Sequence, residues 1–281
     1  MFLDGHLELA QTARNRSGRF FTFNGTGGIW RKECISDAGG WEHDTLTEDM
    51  DLSYRAQLRH WRFIFLNEVE TPAELPVDMD GFKSQQHRWT KGSIQCCKKV
   101  LPAIWRSKFP LHVKLEATAH LTSNFAWLLL MVLCFLIFPN TKYQPEMSVW
   151  VKALIHIPIF IFASGSVVFF YLMSQKALHP NSWWKEIVYL PCLLALGIGM
   201  SINNARAVME ALLNMQSGFV RTPKYGVEKP KKEKSASPRK SRYQAIKSAT
   251  PVVEFLFGVF FLFVLIDALL SGNLVSFIFL L

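Results

Sequence analysis

Thr47-Glu48-Asp49 and, further along, Ser84-Gln85-Gln86-His87-Arg88-Trp89 precede a chain that turns apolar from about residue 116. That order decides the fold class: a carboxylate cluster, then a Gln/Arg/Trp cluster, then membrane-length helices. Polar chemistry is placed at the mouth of a membrane region. Thr47 reads as a helix N-cap, with Glu48, Asp49 and Asp51 in the first turn, where the helix dipole favours negative charge. The same triplet is also what an ordinary helix start looks like. Gln85, Arg88 and Trp89 fall at i, i+3 and i+4, on one helix face. They present an amide, a guanidinium suited to phosphate and an indole suited to a sugar face. Taken alone, the cluster reads better as an interfacial helix anchored by its tryptophan. His87 points elsewhere on the helix.

The composition agrees with a chain of two characters. Of 281 residues, 50% are hydrophobic and 23 are Phe, yet 19% remain charged. Residues 1–115 are mixed and residues 116–281 mostly apolar. The net charge of +9 is concentrated between Arg221 and Lys247, where ten Lys/Arg face only Glu228 and Glu233. A basic loop beside anionic lipid explains this better than nucleic-acid binding, for which no reading module is present. Cys34, Cys96, Cys97, Cys134 and Cys192 have no metal-ligand spacing, and read as reduced thiols. Residues 1–11 carry acids and lack a long apolar run, and so are not expected to be a signal peptide.

Residues 2–14 predict a helix, Phe20–Phe23 a strand into the Asn24-Gly25 turn, and residues 32–38 a short helix. The helix opened by Thr47 is expected to run to about His60. Arg62–Leu66 predicts a buried strand, and residues 83–106 a basic amphipathic helix at the membrane surface. Residues 117–138, 150–173 and 252–271 are long enough to span a bilayer. Residues 186–202, interrupted by Pro191, Gly197 and Gly199, are expected to be interfacial or re-entrant. A third crossing there would put the basic stretch outside, against the positive-inside rule.

Asn24-Gly25-Thr26, after Phe23, is a turn in which glycines allow close approach to the backbone. Phe219, Thr222 and Lys224 lie in a basic loop beyond the third apolar segment. Asp49-Met50-Asp51 and Asp78-Met79-Asp80 match a loose DxD metal pattern too short to carry weight, so no metal ligand is assigned in this chain. The joint order FNGT, TED, QxxRW, spans and F-x-x-T-x-K resembles the membrane-bound family 2 glycosyltransferases, cellulose synthases and mannan/glucomannan synthases among them. Phe23–Arg31, Gly39–Arg59 and Ser84–Trp89 carry the resemblance to the mannan-type branch.

The resemblance implies an α/β fold: the C-terminal part of a GT-A (Rossmann-like) catalytic domain over residues 1–82. An interfacial helix with QxxRW over 83–115 and a transmembrane bundle over 116–281 follow, with a cytoplasmic gating loop and basic linker at 219–250. It implies Asp49 as general base with Thr47 and Glu48 beside it. Gln85, Arg88 and Trp89 then bind donor diphosphate and acceptor, with Phe23, Asn24, Gly25 and Thr26 lining the substrate. Phe219, Thr222 and Lys224 form the gating loop, where Arg221 stands in place of the family's valine. The implied reaction is inverting transfer of a hexose from UDP-glucose or GDP-mannose to a growing polysaccharide, which is passed through the membrane. Membrane lipid is the surrounding partner, and the catalytic face is cytoplasmic. Non-processive transfer to a lipid acceptor, or an inactive remnant serving as a membrane scaffold, are the alternatives. The family's nucleotide-binding half, which would hold Mg or Mn, is expected ahead of Phe20. A fragment lacking it is expected to be inactive alone.

Overall fold

The computed structural model describes residues 3–142, 148–218 and 250–271. Its helices are α1 (Thr12–Arg16), α2 (Lys32–Asp37), α3 (Glu48–Leu58), α4 (Met79–Arg106), α5 (Leu111–Thr122), α6 (Ala126–Lys142), α7 (Val149–Leu178), α8 (Leu190–Leu212) and α9 (Thr250–Leu270). A π-helical stretch, Gly5–Gln11, precedes α1, and 3-10 turns at Ser123–Phe125 and Trp183–Tyr189 lead into α6 and α8. The chain divides into two compact units. One holds Ala13–Trp127 and Asn203–Ser248; the other holds Met1–Thr12, Leu128–Ile202 and Ala249–Leu281.

In the first of these units α3 is buried on two sides. Met50 and Tyr54, one turn apart, pack with Phe20, Cys96, Cys97, Val100 and Ile104, and with Val113, Ala117 and Leu121 of α5. Leu52 and Ala56 pack instead on Cys34 and Ala38 of the α2 region, under Trp30, Trp61 and Phe63. Burying a Leu or Ile of this kind contributes about 1.5–3 kcal/mol. Asp78 caps α4 by accepting from Gly81 N at 2.6 Å, so the helix begins four residues before the expected 83. α2 is followed, after Ala38, by Gly39, whose φ of +91° few other residues adopt. Arg55 of α3 ties that turn down, donating to Ala38 O, to Gly40 O at 2.8 Å and to Asp51 Oδ2.

The two expected strands need correcting: among the described residues there is no strand. Phe20–Phe23 and Arg62–Leu66 run without helix or ladder, and side chains do what a neighbouring strand would do. Gln57 accepts from Phe21 N at 2.7 Å and donates to Phe21 O at 2.6 Å. Asn15 does the same across the second segment, donating to Phe63 O and accepting from Phe65 N. Rings then join the segments, Phe21 lying 5.4 Å from Phe63 and 5.5 Å from Phe65. Arg62–Leu66 is not buried either; Ile64 is 85% exposed.

The basic residues of α4 also differ from a lipid-facing stripe. Lys98 donates to Ala211 O and to Asn214 Oδ1 at the end of α8, and Lys99 is held by acids.

In the other unit the Gly5–Gln11 stretch lies on α7, where Gln175 donates to Asp4 at 2.7 Å. Phe135 of α6 meets Phe257 and Phe260 of α9. Leu129 and Phe255 stay 70% and 71% exposed, an apolar surface suited to lipid. Among the described residues three helical segments are long and apolar enough to cross a membrane: Leu111–Leu136, Trp183–Leu212 and Pro251–Leu270. The expected interruption at Pro191, Gly197 and Gly199 does not occur. Pro191 sits at the second position of α8, just after the 3-10 turn Trp183–Tyr189, and the helix continues through both glycines.

Candidate active site

The start of α3 sits on α4 at Gly92. A Cβ there would fall 2.6 Å from Thr47 Cγ2 and 2.9 Å from Thr47 N, so only glycine admits this approach. One turn on, Cys96 Sγ lies 3.4 Å from Thr47 Oγ1 and donates to Thr47 O at 3.6 Å. Thr47 stands at the N-cap of α3 as expected, but makes no side-chain cap bond, its hydroxyl being directed at Cys96. Gly92 and Cys96 share a helical face with Gln85, Arg88 and Trp89. Trp89 and Gln85 are therefore roughly 4.5 and 10 Å along the axis from the Thr47 contact. All three motif residues are half-buried.

The FNGT turn reaches the same place from the other side. Phe23 N donates to Ser53 Oγ at 2.9 Å, and Ser53 Oγ donates to Asp49 O at 2.6 Å. The backbone then turns through Gly25 at φ +76°, where a Cβ would be 2.8 Å from Asp49 Oδ2. Asn24, Gly25 and Thr26 remain exposed, and Phe23 packs edge-on against Trp30.

Asp49 is the electrostatic centre. Its Oδ1 accepts from Met50 N at 2.8 Å. Burial pushes its pKa up to about 6, with Glu48 adding to the rise and Met50 N and Arg88 opposing it. Burial lowers Arg88 from its ordinary value, while Asp49 and Glu48 work to keep it charged. A half-buried carboxylate titrating near neutrality, beside a guanidinium and an exposed glycine turn, can take a proton from a bound hydroxyl. The guanidinium can face a phosphate.

The described residues do not fit a divalent metal. Glu42, Asp44 and Asp51 bring carboxylate oxygens together, but the Lys99 ammonium already occupies the cluster, at 2.5, 2.8 and 3.1 Å. Burial works against that charge, yet the three acids outweigh it and hold Lys99 above its ordinary range. Asp51 also pairs with Arg55, and Asp78 is spent on its cap. The site thus joins Thr47, Asp49, Phe23–Thr26 and Arg88. Gln85 and Trp89 lie on the same α4 face, upstream of the contact. Phe219, Thr222 and Lys224 lie outside the described residues. Sequence reading does not mark Gly92, Ser53 or Gln57, and reads Cys96 only as a reduced thiol. A glycine inside a helical pattern was the available signal for the first.

Residues 1–140 match the family model described as glycosyl transferase family group 2. The chain belongs to that family, as a membrane-bound member related to the glucomannan 4-beta-mannosyltransferases. It is 31% identical to glucomannan 4-beta-mannosyltransferase 1 of Cyamopsis tetragonoloba over 100% of this chain and 52% of that protein. Against glucomannan 4-beta-mannosyltransferase 1 of Oryza sativa subsp. japonica it is 30% identical, over 90% of this chain and 47% of the relative. Against glucomannan 4-beta-mannosyltransferase 2 of Arabidopsis thaliana it is 35% identical, over 66% of this chain and 34% of the relative. The chain spans about a third to a half of the length of these curated relatives. No solved structure matches it.

Proposed function

We propose that this chain carries the acceptor side of an inverting β-mannosyltransferase, which extends a polysaccharide from GDP-mannose at a membrane and passes the product across it. One observation carries the reading: Asp49, with its pKa near 6, is held between the Gly25 turn and Arg88. The relatives' mannosyl names favour GDP-mannose over UDP-glucose as donor.

The acceptor hydroxyl gives its proton to Asp49 as its oxygen bonds the anomeric carbon. The bond from that carbon to the diphosphate breaks on the opposite face, and the diphosphate leaves with the electron pair. Arg88 stabilises the departing charge, a role in which preorganised groups contribute several kcal/mol. Trp89 stacks the acceptor sugar and Gln85 hydrogen-bonds it. Asn24 and Thr26 line the turn from which substrate meets Asp49. Thr47 and Glu48 set the helix start, Glu48 also helping to keep Asp49 basic. A divalent metal, implied by the resemblance, would take its ligands from outside the described residues. We place the catalytic face in the cytoplasm, with Phe219, Thr222 and Lys224 closing over the donor.

The test is product analysis. Membranes from the producing cell, given labelled GDP-mannose, should form an insoluble polymer digestible by β-mannanase, while labelled UDP-glucose alone labels it poorly. Label recovered only in the lipid extract would instead support transfer to a lipid acceptor.

A further inference from the structure

α4 has a second functional face. His87, Lys91 and Lys98 fall at i, i+4 and i+11, on the side of the helix away from Gln85, Trp89, Gly92 and Cys96. All three meet the last turns of α8. Lys91 is fully buried, and its ammonium donates to Glu210 Oε2 at 2.9 Å. His87 Nε2 lies 3.4 Å from the same oxygen, and Arg206 Nε donates to the other at 2.8 Å. Asn203 donates to Lys83 O at 3.1 Å. Lys98 closes the series on Ala211 O and Asn214 Oδ1. A buried ammonium tolerates no separation from its carboxylate. The opposite face meets the start of α3 through the Gly92–Thr47 approach and the Cys96 thiol, with Gln95 accepting from Leu46 N at 2.9 Å and Lys99 donating to Asp51 at 3.1 Å.

We infer that the Lys91–Glu210 pair fixes the rotation of α4 about its own axis and so sets the distance from Arg88 to Asp49, making Lys91 and Glu210 positioning residues for the proposed transfer. Arg88 sits between His87 and Trp89 in sequence and between the two faces in angle, so any roll of α4 moves it toward or away from Asp49. The role of Glu210 in catalysis rests on the functional reading above; its control of α4 does not. Arg206 and Glu210 are the charged residues of α8, and both lie in its last two turns.

The experiment reads geometry without requiring turnover. With carboxyl-labelled aspartate in the detergent-solubilised protein, carbon NMR follows the titration of Asp49, assigned by the signal lost in Asp49→Asn. The wild-type midpoint is expected at about 6. In Glu210→Gln the released α4 rolls, the distance from Arg88 to Asp49 changes and with it the lowering effect of Arg88, so the midpoint should move by about 0.5–1 unit. The exchange Lys91→Glu with Glu210→Lys should bring it back. If Glu210→Gln does not fold, Glu210→Asp withdraws the carboxylate by one methylene and should shift the midpoint the same way. A midpoint unmoved in every folded Glu210 variant overturns the inference. Sugar transfer in the same samples separates the two claims: a shifted midpoint in a protein that never transfers sugar removes the proposed function and leaves the positioning role standing.

Discussion

At the residue scale the site conflicts with the stability of the protein that holds it. Asp49 ionises in the unfolded chain near 3.8, but in the folded protein only near 6. Below both values the two states carry the same proton. Between them the folded state holds a proton that the unfolded chain has lost, so stability falls as pH rises. Above about 6 the whole penalty is present, on the order of 3 kcal/mol for a shift of this size. Asp49→Asn has no such ionisation, and its Oδ1 can still accept from Met50 N. The variant should therefore melt higher than wild type at pH 7.5 and equally at pH 3.5, in thermal unfolding followed by helix signal. Equal melting at both pH values would mean that Asp49 is not desolvated. Such a trade of stability for a basic carboxylate is common where a side chain is tuned for chemistry.

At the scale of elements, the approach of α3 to α4 rests on Gly92. Alanine is the better helix former by about 1 kcal/mol, so Gly92→Ala would stabilise an isolated helix. Here its methyl meets Thr47 at 2.6–2.9 Å, and the crowding is expected to cost about 1–3 kcal/mol. Gly197→Ala, with nothing within 4 Å of the added carbon, should be neutral or slightly stabilising in the same melts. If Gly92→Ala behaves like Gly197→Ala, α3 and α4 are not packed as described. The same contact shows what the sequence could reveal. The motifs were readable because Thr47–Asp49 and Gln85–Trp89 are local patterns with helical spacing, and those helices are found where expected. Phe20–Phe23 and Arg62–Leu66 misled, because apolar alternation reports burial and extension but not the neighbour that completes a ladder. Gln57 and Asn15 take that neighbour's place, and nothing in their own surroundings marks them for it. The Lys91–Glu210 pair was hidden for the same reason: its partners lie far apart in the chain, and a lysine beside Arg88 reads as one more basic residue of a surface helix.

At the scale of the whole molecule the question is the side from which each segment leaves the membrane. Trp183–Leu212 is long enough to cross, yet the basic stretch from Arg221 to Lys247 belongs on the cytoplasmic side by the positive-inside rule. The pairing of Glu210 and Ala211 with Lys91 and Lys98 supports the second view, since it brings the end of α8 to the helix that carries Arg88. We expect a cysteine placed at Ser235 to label only from the cytoplasmic side, and one at Gln144 only from outside, in sealed cells. External labelling at Ser235 would exclude Thr222 and Lys224 from any role at a cytoplasmic donor. The account as a whole stands on Asp49 as the group that takes the acceptor's proton. The most direct test compares wild-type protein with Asp49→Asn in membranes from the producing cell, measuring turnover of GDP-mannose and donor affinity together. We predict a loss of about 10²–10⁴ in kcat, donor affinity within a few-fold of wild type, and a wild-type rate that falls away below pH about 6. Turnover by Asp49→Asn at a rate close to wild type would contradict the account and leave Asp49 as an ordinary residue of a helix start.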